Sequence, residues 1–272
     1  MTATDHAQHT NAQHANAQHT DVQPPRGSAG VRNTPLWKLT VVELRKVADT
    51  RAGAWLLAIV GLLAVAVVVI VAIAGDATDL TFAGLLAPTV LPGAILLPVL
   101  GILSVTSEWS QRTALTTFAL VPRRSRTAVA KLLAALVLAL LSISACIAAA
   151  AVANLFAGGD GSWHIPAFYL GRVALYQVLY VLLGLAFGML LMSPSLAIVL
   201  YFVLPTAWSI LGSLISALRT TSEWLDLSVT AGLLLENEMT GRSWARLGAS
   251  VALWVLTPMI VGLIRLRRRE VA

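Results

Sequence analysis

Two things are scarce in this chain of 272 residues: cysteine and charge. The single cysteine, Cys146, lies inside an apolar run, so no intrachain disulfide can form and thiol redox chemistry has no second partner. Asp, Glu, Lys and Arg make up 12% of the residues against 57% hydrophobic ones, and the mean hydropathy is +0.79. Soluble domains carry about twice that share of charge. The balance excludes a water-soluble globular core and points to a polytopic membrane protein. Also missing are a Gly-x-x-x-x-Gly-Lys-Ser/Thr phosphate loop, a Gly-x-Ser-x-Gly turn, a His-Glu-x-x-His helix and paired carboxylates within an apolar run. No catalytic constellation, ATP loop or metal site is therefore expected here, and the chain does not read as an enzyme. No cleavable signal peptide is visible either, because the N-terminus stays polar for about fifty residues.

The charge that is present is basic, with a net +6. It gathers at the ends of apolar runs, which is a topology signal of membrane proteins and not a nucleic-acid surface. Residues 1–35 are of low complexity: Ala-Gln-His recurs at 7–9, 12–14 and 17–19, and His6 joins His9, His14 and His19. Such tracts can bind transition metals, but this spacing defines no ligand geometry, so the segment reads as a disordered polar tail. From residue 36 to 272 the chain reads as one transmembrane domain.

That domain opens with a helical pattern over 36–50. Trp37, Val41, Leu44 and Ala48 share one face, opposite Lys38, Arg45, Lys46 and Asp49. A basic amphipathic helix with an edge tryptophan suits the membrane interface, and its direct run into an apolar stretch favours that over docking on a soluble partner. Six apolar runs follow, near 52–74, 83–106, 128–156, 168–192, 195–215 and 245–264, each long enough to cross about 30 Å of hydrocarbon. Pro88, Pro92 and Pro98 predict a kink or a re-entrant start in the second. With the N-terminus in the cytoplasm, only Arg172, Arg219, Arg242 and Arg246 of the 19 basic residues fall outside. The positive-inside rule then places both termini on the cytoplasmic side of the cell membrane.

The spans carry no ionisable residue at mid-depth; Lys131 and Arg172 stand near helix ends, where their heads can snorkel to the interface. Gly184 and Gly188 give a Gly-x-x-x-Gly spacing that permits close helix approach, although 19 glycines make such pairs common by chance. Met192 to Ser195 predicts a tight hairpin between spans four and five. Ser216–Ser243 mixes Trp224, Leu225, Leu227 and Leu233–Leu235 with four acidic residues (Glu223, Asp226, Glu236 and Glu238). It fits short helices at, or dipping into, the outer leaflet, or else a folded external loop.

The one long polar and basic interruption is Ser107–Lys131. Glu108 and Arg112 are four apart with the acid first, worth about 0.2–0.5 kcal/mol in a helix. Thr113, Leu115, Phe118 and Leu120 offer a modest apolar edge, Pro122 stops the helix, and Arg123, Arg124, Arg126 and Lys131 face the anionic inner surface. Physically this is either a short helix shaped for a partner's groove or an ordinary positive-inside loop.

Glu108-Trp109, Thr113, Leu115, Phe118, Pro122-Arg123-Arg124 and Lys131 resemble the first intracellular loop of ABC type-2 exporter permeases. The helix before the first span (Glu43-Leu44-Arg45-Lys46 to Arg51, with Trp37 ahead of it) is similar to that family's interfacial connecting helix, and the likeness covers about 32–268. Arg112 departs from it, standing where many members carry Gly. The resemblance implies an all-α membrane protein with the ABC type-2 exporter fold. It implies a permease that dimerises and couples through Glu108–Pro122 to a separate ATP-binding subunit. ATP and Mg would be held on that partner, with no cofactor on this chain and no nucleic acid involved. Hydrophobic or amphipathic cargo is the expected substrate, and membrane lipids the surroundings. A non-transporting immunity or scaffold protein of the same fold is the alternative; co-purification with an ATPase separates the two.

Overall fold

The structure, a computed structural model, describes residues 35–76, 80–110, 124–157, 163–166, 168–236 and 239–268. About 91% of it is helical, with no strand among the described residues. Six helices are long and apolar enough to cross a membrane, which fits a multi-pass membrane protein. The elements are α1 (Leu36–Asp49), α2 (Arg51–Ala74), α3 (Phe82–Thr89) and α4 (Leu91–Ser110), then α5 (Arg124–Ala157), α6 (Tyr169–Leu191) and α7 (Pro194–Leu214). Short helices α8 (Arg219–Leu225) and α9 (Leu227–Gly232) precede α10 (Gly241–Val251), which continues through a π turn at Ala252–Leu256 into α11 (Thr257–Arg268). α3 with α4 makes the second span and α10 with α11 the sixth.

Proline chemistry explains the breaks. The second span bends at Val90, two residues before Pro92, whose missing N–H cannot continue the ladder. Pro98 likewise frees the Ala94 carbonyl, and the Tyr201 hydroxyl of α7 donates to it at 3.3 Å. The π turn sits just before Pro258, and the Thr257 hydroxyl closes it by donating to the Ala252 carbonyl at 2.8 Å. Between α6 and α7, Met192 takes a left-handed backbone (φ 53°) and Pro194 opens the next helix, giving the tight hairpin.

α6 is the central rod: 67% of its apolar window is buried, against 17% for α2 and for α7. In lipid, apolar area does not drive helices together, so small residues and close backbone contact must do so. A Cβ on Gly184 would overlap the Pro98 backbone, one on Gly188 would come within 3.0 Å of Ile102 Cα, and one on Gly262 within 2.7 Å of Met189. The Gly-x-x-x-Gly pair is thus the seam between α6 and α4. These contacts also fix direction. Pro98 meets Gly184 and Ile102 meets Gly188, so spans two and four run parallel, and Gly262 against Met189 with Arg265 donating to the Leu190 carbonyl sets span six parallel too. Span two ends beside α1 and the start of α5, where Ser104 meets Lys131. At the opposite end, the Tyr169 hydroxyl reaches the Ala83 and Leu235 carbonyls at 3.3 and 3.5 Å.

The 216–235 segment turns inward at that end. Asp226, Leu227, Thr230, Ala231 and Leu234 are buried. The Asp226 carboxylate caps α9 by accepting from the Ser228 and Val229 amides. Thr230 and Ser250 hydroxyls meet at 2.6 Å, and the Trp254 indole donates to the Leu225 carbonyl at 2.7 Å.

Candidate functional site

The site begins with the pattern of α1. Its bundle-facing side is Thr40, Glu43, Leu44 and Val47, at helical spacing; Thr40 and Glu43 are buried, and Leu44 and Val47 pack on an aliphatic cluster of α4, α5 and α6. The side that packs on the bundle is centred on an acid and is not the Trp37, Val41, Leu44 and Ala48 face of the sequence pattern. Trp37 is 63% exposed beneath the Lys38 ammonium, and Val41 and Val42 also face away from the bundle. Leu44 packs inward, Arg45 points out, and Lys46 bonds Glu43.

Glu43 turns toward the bundle because a partner waits there. The Lys131 ammonium of α5 donates to Glu43 Oε2 at 2.7 Å and to the Ser104 carbonyl of α4 at 2.6 Å. Glu43 Oε1 accepts from Lys46 at 2.7 Å. Lys131 and Glu43 are only 5% and 6% exposed, whereas Lys46 is 44% exposed and leads the charge to the surface. The cavity beside the pair holds about 10 Å³, near the minimum for one water. Lys131 therefore does not snorkel. Burial of an ammonium is costly without compensation, and here two oxygens supply it. Arg172 is buried as well, with its guanidinium carbon 5.5 Å from the centre of the Tyr169 ring.

Lys131 and Ser104 stand at the two roots of the polar loop. Glu108 and Trp109 belong to the last turn of α4, and Arg124 opens α5. Arg112, Thr113, Leu115, Phe118, Pro122 and Arg123 lie outside the described residues. The structure brings Lys46 and Lys131 together on Glu43, a residue of the interfacial-helix pattern for which the sequence alone offered no partner, and adds the Ser104 carbonyl. The signal for Glu43 was available: an acid inside the stripe Thr40, Leu44, Val47, with a lysine standing alone in a later apolar run. The Ser104 carbonyl carried no signal, because any backbone oxygen could have served.

Among the described residues no group of His, Cys, Asp and Glu is placed to hold a metal. A second cavity of about 610 Å³ opens between the far halves of α2 and α5, lined by Val, Ala, Ile and Phe156. Comparison with protein-family models gives no match, and a search of curated proteins gives none either.

Proposed function

We propose that this chain is the membrane-spanning subunit of an ATP-driven exporter of the ABC type-2 kind, paired with a separate ATP-binding subunit. The observation that carries the reading is the built root of the polar loop. Ser104 before it, Lys131 after it and Glu43 on α1 are tied by bonds of 2.6–2.7 Å, with both charged side chains buried. A positive-inside loop needs no such anchorage, whereas a loop that receives force does. The six-span bundle, the helix ahead of the first span and the residues Glu108-Trp109 through Lys131 support the same reading. In it α1 and the loop face the cytoplasm, two copies of the chain form the path, and a hydrophobic or amphipathic substrate leaves between them. The coupling residues are Glu108, Trp109, Arg112, Thr113, Leu115, Phe118, Pro122, Arg123 and Arg124.

The test is purification in detergent with a candidate ATP-binding protein, then ATPase measurement across a panel of lipophilic compounds. Co-purification and stimulated hydrolysis are expected, with Glu108→Ala and Arg123→Glu each lowering the transport-linked rate. Unchanged hydrolysis in both variants removes the loop from the mechanism. A stable chain that works with no ATPase favours a scaffold role.

A further inference from the structure

The ion pair at the root of the loop joins elements far apart in sequence. Glu43 and Lys131 are 88 residues apart, and Lys131 and Ser104 are 27 apart. One ammonium thus holds α1, the end of α4 and the start of α5 together. Apart from this tie, the bundle-facing side of α1 offers mainly Leu44 and Val47, both only partly buried. The cavity beside the pair has room for about one water, so little solvent is at hand to take the place of the bond.

On its other side α1 meets α2 at a rigid corner. The Thr50 hydroxyl accepts from the Gly53 amide at 3.1 Å and donates to the Val47 carbonyl at 3.1 Å. A Cβ on Gly53 would overlap that same carbonyl, so the corner has no slack. Beyond it stands α2, which packs on α3, α4 and α5 along a narrow stripe whose buried residues are Gly53, Val60, Ala64 and Val68.

We propose that Glu43 and Lys131 are positioning residues of the coupling elbow, carrying a displacement of the loop through α1 and the Thr50 corner into the first span. The proposal rests on the coupling reading above and adds its output: α2 is the helix that is driven. α6 is held by backbone contacts on two sides and acts as the fixed frame, while α2, buried only along a narrow stripe against α3, α4 and α5, is joined to the tie through α1 and the Thr50 corner. A buried bond transmits a displacement because it has no solvent-separated alternative at similar energy.

The test uses the full chain with its ATP-binding partner in lipid nanodiscs, in a Cys146→Ser background. Spin labels at Trp55→Cys on α2 and Val129→Cys on α5 are each paired with Leu196→Cys on α7, all exposed positions. In the otherwise unsubstituted chain, trapping with ATP and vanadate is expected to shift both distances. In Glu43→Gln and Lys131→Met the α5 label still shifts and the α2 label does not, and Lys131→Arg keeps both. Should the buried variants fail to fold, Thr50→Val at the exposed corner gives the same loss at α2 with the ion pair intact. An α2 shift that survives in every variant overturns the proposal. Absence of any shift in the unsubstituted chain removes the coupling reading, and this proposal with it.

Discussion

The two ends of the bundle each hold an ion pair at the same 2.7 Å, and they are different objects. Glu43–Lys131 is 6% and 5% exposed, bonds a third element through Ser104, and borders a cavity of about 10 Å³. Glu223–Arg246 is 45% and 21% exposed, with the arginine also 5.8 Å from the Trp224 ring centre. Solvent, not distance, separates them. Water screens the second pair and competes for its partners, so its net value is small. The first is nearly closed to solvent, and loss of one member leaves a buried charge without its main partner. What holds the segment at the far end is its buried hydroxyl and indole contacts and the Asp226 cap, not the Glu223–Arg246 pair.

The contrast can be broken in descending order of effect. Lys131→Met leaves Glu43, among the described residues, with Lys46 as its ion-pair partner and should lower stability by about 3 kcal/mol, read as a large fall in the melting temperature by tryptophan fluorescence in detergent. Replacing both members, Glu43→Leu with Lys131→Met, should cost less than that single change, because an apolar pair of similar volume needs no compensation. A double variant less stable than Lys131→Met would mean that the pair stabilises beyond mutual neutralisation. At the opposite end, Thr230→Val removes the hydroxyl contact to Ser250 and should cost about 1 kcal/mol in the same melt. Arg246→Met comes last, at about 0.2–1 kcal/mol. Raising salt to about 1 M, where the Debye length is about 3 Å, should erase that cost and leave the Lys131→Met loss unchanged. If both losses shrink alike, the buried pair is not dry.

Much of the fold is legible in the sequence because the bilayer imposes a length and a composition on each span. The prolines mark real breaks, since a missing N–H is local information: Pro92 bends the second span and Pro258 follows the π turn. Pairing is less legible. Gly184 and Gly188 read as one small-residue pair among several, and only their contact with Pro98 and Ile102 distinguishes them. At the candidate site Lys46 and Lys131 were visible as basic residues, but their positions read as surface ones, because a lysine near a helix end usually reaches water. That Lys131 turns inward depends on Glu43 arriving from a helix 88 residues away.

The sequence alone determined six helices long and apolar enough to cross a membrane, the places where helices break and the isolation of one basic loop between the second and third of those runs. Those properties follow from composition, length and missing backbone donors, each carried by residues close together along the chain. Only the tertiary structure decided that α6 is the central rod, that the 216–235 segment folds into the bundle and that the loop's root is locked to α1 by a buried charge. Each of these depends on which distant groups meet away from water, and no local pattern encodes that meeting.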